Sequence, residues 1–189
     1  MQKIILATGN QGKVAEFNAL LKAHFIVEPQ SDYQVPEAQE TGLSFVENAI
    51  LKARNAAQHT GMWALADDSG LSVEALNGAP GIYSARYSGG DDEQNIDKLL
   101  DNMQGVENRS AYYYCAIALV KHTDDPTPII AVGEWHGEIL TARQGKNGFG
   151  YDAVFYVPEF KKSSAELDTS QKNSVSHRAL ALNNLFKQL

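Results

Sequence analysis

Cysteine is all but absent. Cys115 stands alone among 189 residues, which excludes an internal disulfide framework and leaves the fold to its apolar core. It sits in an aromatic, strand-like run and reads as a buried structural thiol with no catalytic role. Long apolar runs are missing as well. The one near the N-terminus, residues 4–7, is far shorter than a signal-peptide core or a membrane span, so no membrane association and a cytoplasmic location are expected. Positive charge is scarce: 16 Lys and Arg stand against 23 Asp and Glu, for a net charge of −7. That balance opposes sequence-independent binding to nucleic acid, which depends on cations neutralising phosphates, but it leaves room for a small cationic pocket. There is no repeat, low-complexity tract or linker. What remains is ordinary globular composition, 43% hydrophobic and 21% charged, suited to a single domain over residues 1–189.

Residues 3–8 read as a short buried strand, and Val14, Phe17, Leu20 and Leu21 follow at helical spacing. A second helix is expected from Ser44, which caps it while Glu47 reaches back, with Phe45, Ala49, Ala53 and Ala56 on one face and Gly61 at its end. Residues 63–67 and 71–75 read as two strands on either side of an acidic turn, and residues 77–81 as a loop. Residues 91–103 look helical. Residues 111–120 and 129–139 have the length and β-branching of two strands, joined as an antiparallel hairpin by residues 122–128 with their two prolines. Val175, Ala179, Leu182, Leu185, Phe186 and Leu189 mark one C-terminal amphipathic helix. Together these predict a mixed α/β fold.

The run Asp67-Asp68-Ser69-Gly70 follows an apolar strand, so one carboxylate is expected at a sheet edge where a divalent cation and a phosphate can meet. A plain Asp-Ser-Gly turn reads equally well from the same residues. Thr8, Gly9, Asn10, Gln11, Gly12 and Lys13 lie where the first strand meets the first helix, so backbone N–H groups there can hold a phosphate oxygen while Lys13 adds charge. This is not a P-loop, because the G-x-x-x-x-G-K-[ST] spacing is missing and Val14 occupies the place of the metal-binding hydroxyl. Glu40 precedes the second helix, on which Asn48 and Lys52 sit four apart and face one way. A carboxylate from Glu40 joined to Asp67 or Asp68 makes a hard oxygen site suited to Mg²⁺. Phe149, Gly150, Tyr151 and Asp152 combine close backbone approach with a ring for stacking and an acceptor for a ring N–H, the parts of a base pocket. A glycine-rich hairpin with a packed Phe149 is the competing reading. Lys172, His177 and Arg178 add two cations and an imidazole near the C-terminus.

Taken together, these segments are similar to one family. Thr8-Gly9-Asn10 with Lys13 and Glu16-Phe17, Glu47-Asn48-Ala49 with Lys52-Ala53, Asp67-Asp68-Ser69-Gly70-Leu71, Gly78 with Pro80-Gly81-Ile82-Tyr83-Ser84-Ala85-Arg86-Tyr87, Gly148-Phe149-Gly150-Tyr151-Asp152 and Ser176-His177-Arg178 occur in the order found in the inosine triphosphate pyrophosphatases. The resemblance is to their bacterial branch and covers nearly the whole chain. It implies a mixed elongated β-sheet flanked by helices, two lobes around a central nucleotide-binding cleft, and a homodimer. It also implies Mg²⁺-dependent cleavage of ITP, dITP and XTP to the monophosphate and pyrophosphate, a house-cleaning activity on the nucleotide pool. By position, Asp68 resembles the family's catalytic carboxylate and metal contact, and Glu40 its second metal carboxylate. Thr8 to Lys13, Lys52, Ser69 and Lys172 resemble its substrate contacts. Phe149 to Asp152, with His177 and Arg178, resemble its base pocket. Two departures stand out: Ala153 replaces a usual proline, and Gln171 replaces a usual acidic residue before Lys172. The competing readings are a pyrophosphatase for other damaged triphosphates and a nucleotide-binding regulator without turnover.

Overall fold

The computed structural model describes residues 1–189, except for the side chain of Gln11, so the substrate contact expected from that side chain lies outside the described residues. In chain order the elements are β1 (Gln2–Leu6), α1 (Gln11–Leu21), β2 (Phe25–Pro29), α2 (Phe45–Thr60), β3 (Ala64–Val73), α3 (Asp92–Asn102), β4 (Ser110–Val120), β5 (Ile129–Ile139), β6 (Phe155–Val157), β7 (Lys162–Ser163), α4 (Thr169–Val175) and α5 (His177–Phe186). The strands form one seven-stranded sheet in the order β2-β1-β3-β4-β5-β6-β7. β1 pairs in parallel with β2 and β3, and β6 pairs antiparallel with β5 and β7, so the sheet is mixed, as expected. β4 and β5 are neighbours joined by residues 121–128, too short a connection for a parallel crossover.

The helix starts follow from capping chemistry. Asn10 Oδ1 accepts the Lys13 N–H at 3.1 Å and opens α1. Ser44 Oγ accepts the Glu47 N–H at 3.3 Å and donates to Glu47 Oε2 at 2.7 Å; the same carboxylate takes the Leu43 N–H at 3.0 Å. Ala49, Ala53 and Ala56 form the buried face of α2, which Gly61 ends in the left-handed region at φ +67°. Asp91 and Gln94 cap α3 reciprocally.

Two sequence-based expectations fail here. The acidic run is not a turn between two strands: Asp67, Asp68, Ser69 and Gly70 lie in the middle of one ten-residue strand, β3, with Asp67 and Asp68 both buried. Turn propensity yields because each carboxylate finds a cation inside the fold and has no need of water. The single C-terminal helix is also two. Val175 ends α4, Ser176 is extended at φ −65°, ψ 155°, and α5 starts at His177. The apolar spacing from Val175 to Ala179 and Leu182 continues through the break, which hides it from periodicity. Leu189 lies beyond α5 and is exposed.

The chain divides into two compact units. The first comprises Met1–Asp68, Cys115–Gly133 and His177–Leu189, with a core of Ile4, Leu6, Phe17, Leu21, Leu65, Ile117 and Leu182 around the buried Cys115. The second comprises Ser69–Tyr114 and Glu134–Ser176, with a core in which Phe155 packs on Tyr113 and Trp135 at ring distances of 4.7 and 5.2 Å. Among the described residues no helix is long and apolar enough to cross a membrane.

In the first unit, Gly133 of β5 lets the start of α5 close onto the sheet. A Cβ at this position would stand 2.3 Å from the His177 carbonyl oxygen and 2.4 Å from the Ala181 nitrogen, both backbone atoms. Gly133→Ala is expected to destabilise the protein by about 2 kcal/mol or more, since α5 must move away. Urea unfolding measures this, and an unchanged midpoint would contradict the packing described.

Candidate active site

In the first unit, β3 places Asp67 and Asp68 side by side, and strand geometry sends their side chains to opposite faces. Asp67 faces α1 and α5. Its Oδ2 accepts from Lys13 Nζ at 2.8 Å and lies 3.7 Å from Arg178 Nε, while Arg178 Nη1 donates to Glu16 Oε2 at 2.7 Å. Asp68 faces α2. Lys52 Nζ donates to Asp68 Oδ1 and to Glu40 Oε1, each at 2.9 Å, and Asn48 Nδ2 approaches Asp68 Oδ2 at 3.4 Å. Asn48 and Lys52, four residues apart on α2, thus meet the same carboxylate, as their spacing predicts. Asn48 Oδ1 in turn accepts the Gly42 N–H at 2.8 Å, and a Cβ on Gly42 would stand 2.7 Å from that oxygen. The loop carrying Glu40 is therefore tied to the helix carrying Lys52.

Burial acts on the two aspartates alike, yet their titration diverges. Burial disfavours the Asp67 charge, but Lys13, Arg178 and Lys52 outweigh it and hold its carboxyl well below the ordinary range. For Asp68, burial prevails over Lys52 and Lys13, and its carboxyl is raised. Burial disfavours the charge on Lys52 too, but Asp67, Asp68 and Glu40 overcome it and raise its affinity for a proton. These ion pairs join three cations, Lys13, Lys52 and Arg178, to four carboxylates, Glu16, Glu40, Asp67 and Asp68. Fully ionised, the cluster carries surplus negative charge that a further cation would offset.

Glu40 and Asp68 turn oxygens toward one cationic point, now filled by the Lys52 ammonium. This hard-oxygen pair fits Mg²⁺, which takes one or two carboxylates and completes its shell with water and substrate phosphates. Asp67 does not join that pair. It leaves β3 on the other face, and its Oδ1 has no hydrogen-bond partner among the described residues. Nor do the described residues contain a group of three or more His, Cys, Asp or Glu suited to a metal.

The N-terminal turn is local and regular. Thr8 Oγ1 accepts the Asn10 N–H at 3.2 Å, Gly9 and Asn10 are exposed, and Gly12 and Lys13 lie half-buried on α1. His177 and Arg178 open α5 and are both buried, and Glu16, which the motif reading used only as a family marker, is the salt-bridge partner of Arg178. Its signal was the three-residue spacing from Lys13 on one helix.

The second unit contains Ser69 on β3 and the loop Phe149 to Asp152, which is a 3-10 turn rather than a hairpin. Tyr151 Oη donates to the Ser84 carbonyl at 2.8 Å, and the Gly150 N–H to Asp92 Oδ2 at 3.0 Å, so the first residues of the turn are anchored twice. The Asp152 carboxylate is buried and accepts the Phe149 N–H at 3.0 Å, the Ser164 hydroxyl at 2.9 Å and the Lys172 ammonium at 2.6 Å. Lys172 Nζ also lies 5.2 Å from the centre of the Phe149 ring. Lys172 thus belongs with the Phe149 loop, whereas the motif reading grouped it with the other lysines. Gln171 has a role of its own, its Oε1 accepting the Asp168 N–H at 3.1 Å to cap α4, a task glutamine performs as well as glutamate. The carbonyl of Ala153 accepts the Gln144 N–H at 2.7 Å. Ser164 carried no signal in the sequence, since a serine in a short turn is unremarkable until its partner is known.

Removing the Lys13 ammonium leaves Asp67 buried and short of charge. Lys13→Met is expected to cost about 3 kcal/mol at neutral pH, measured by urea unfolding. Because Lys13 holds the folded-state carboxyl of Asp67 down, its stabilisation is present above the ordinary carboxylate range and is lost as pH falls through and below it. The gap between the two proteins should therefore narrow in acid. A gap that stays constant with pH would contradict the pairing.

The chain is similar over nearly its whole length to known proteins. The model of the Ham1 family matches residues 4–188. A Vibrio cholerae protein named dITP/XTP pyrophosphatase is 57% identical, covering 100% of this chain and 97% of the relative. A protein of the same name from Thioalkalivibrio sulfidiphilus is 54% identical, over 99% of this chain and 98% of its own length. Among solved structures, a HAM1 protein from Coxiella burnetii superposes with a TM-score of 0.93 at 47% identity, covering 100% of this chain and 98% of the other. A dITP/XTP pyrophosphatase from Mycobacterium abscessus gives 0.77 at 41% identity, covering 97% and 98%. A family match over almost every residue, with relatives aligned end to end, establishes that this chain belongs to the Ham1 family.

Proposed function

We propose that the protein hydrolyses non-canonical purine nucleoside triphosphates, ITP, dITP and XTP, to the monophosphate and pyrophosphate in a Mg²⁺-dependent reaction. The observation that carries the reading is the convergence of Asp68 and Glu40 on one cationic point, held by Lys52 from the middle of α2. The names borne by its close relatives support it.

Release of pyrophosphate in one step requires cleavage of the α–β phosphoanhydride: water attacks the α-phosphorus and pyrophosphate leaves. Asp68 orients or deprotonates that water. Glu40 and Asp68 would hold Mg²⁺, which supplies a water of lowered pKa and neutralises charge on the phosphoryl oxygens. Lys13 and Lys52 stabilise the triphosphate and the leaving pyrophosphate, with Thr8 to Gly12 contacting the same substrate. Phe149 to Asp152 receive the base. Hypoxanthine and xanthine present an acceptor at O6 where adenine presents a donor, so N–H donors there reject adenine. A homodimer and a cytoplasmic location belong to the same proposal.

Asp68→Asn is the direct test. Turnover of ITP should fall by about 10²-fold or more while nucleotide affinity, read by calorimetry, stays within a few-fold. A variant with near-normal turnover would contradict the role of Asp68. Chelation with EDTA should abolish the wild-type rate and added Mg²⁺ restore it. A protein that binds ITP tightly and never cleaves it would point to a nucleotide-binding regulator.

A further inference from the structure

In the second unit, the segment leading to Phe149 is sewn onto residues 163–167. The Lys146 and Asn147 N–H groups both donate to the Ala165 carbonyl, at 3.2 and 3.0 Å. Ser163 Oγ donates to the Gln144 carbonyl at 2.7 Å, and Asn147 Nδ2 to the Leu167 carbonyl at 3.4 Å. Two glycines permit the approach. A Cβ on Gly145 would stand 2.5 Å from the Ala165 carbonyl oxygen, one on Gly148 would stand 2.0 Å from Asp152 Oδ2, and both have φ near +80°. At the centre of this seam is Ser164, 1% exposed, whose hydroxyl donates to Asp152 Oδ1 at 2.9 Å.

A carboxylate rotates freely about its last torsion unless both oxygens are held. In Asp152 the two oxygens do different work. Oδ2 collects the Phe149 N–H and the Lys172 ammonium, the two groups that set the ring and the charge beside it. Oδ1 is bonded to Ser164. Pinning Oδ1 fixes the plane of the carboxylate and with it the point where Oδ2 gathers the other two.

We propose that Ser164 is a positioning residue for base recognition: by holding Asp152 Oδ1 it places the Phe149 ring and the Lys172 ammonium as one preorganised unit. This rests on the reading above, in which Phe149 to Asp152 receive the base. Ser164 touches no substrate and acts through Asp152. Its loss should therefore appear in substrate binding and in base selectivity before it appears in the chemical step.

The test is steady-state hydrolysis of ITP and GTP by the wild-type protein, Ser164→Ala and Ser164→Cys, with Tm recorded for each. Loss of a hydrogen bond to a buried carboxylate is expected to raise KM for ITP by about tenfold in Ser164→Ala, with a smaller fall in kcat and a narrowed preference for ITP over GTP. Ser164→Cys, which keeps the volume and a weak donor, should fall between the two. If Ser164→Ala does not fold, the cysteine variant carries the same comparison against wild type. KM within twofold of wild type, or equal losses on ITP and GTP that follow the drop in Tm, would overturn the inference and leave Ser164 an ordinary packed serine. A wild-type protein that leaves ITP intact would instead overturn the functional reading, and the inference with it.

Discussion

Two adjacent carboxylates buried in mid-strand stay ionised only if cations reach them from both faces of the sheet, and the first unit is organised around that requirement. Strand alternation sends Asp67 one way and Asp68 the other. One face is answered by Lys13 and Arg178 from α1 and α5, the other by Lys52 from α2. Lys13 and Arg178 lie near helix starts whose positions are set locally, and Lys52 lies in the middle of α2. The Asn10 cap places Lys13 in the first turn of α1, and the break at Ser176 brings Arg178 to the first turn of α5. Moving any of these starts by one residue would rotate its cation by about 100° around the helix and expose the aspartate it serves to an apolar interior.

The same constraint divides labour between the two aspartates. Asp67, held ionised by its cations, anchors the lysine and the arginine on its face. Asp68, on the other face, has a raised carboxyl because burial prevails over its cations. Neighbours in sequence thus come to titrate in opposite directions, separated by nothing more than the pleat of a strand and the unequal number of cations on its two sides.

Much of this was legible in the residues. The cap at Ser44 with Glu47, a glycine stop at Gly61 and the length and β-branching of residues 129–139 are local signals, and each marks an element where it stands. The four-residue spacing of Asn48 and Lys52 likewise reports a shared face. The signals that misled were those in which a local preference competes with a distant partner. Asp-Ser-Gly favours a turn by itself, and only Lys13 and Lys52, far away in sequence, make it a strand. Helical periodicity runs through Ser176 unchanged, and only the capping box at Asp168 and Gln171 shows that a separate helix precedes the break. Ser164 was invisible because its importance lies wholly in what it touches.

The central claim is that this chain directs water at the α-phosphorus of an inosine-type triphosphate. Hydrolysis of ITP in oxygen-18 water, followed by mass spectrometry of both products, tests it most directly. The account predicts label in the inosine monophosphate and none in the pyrophosphate. Label in the released phosphate product, or orthophosphate as the first product, would contradict the attack geometry and the role assigned to Asp68.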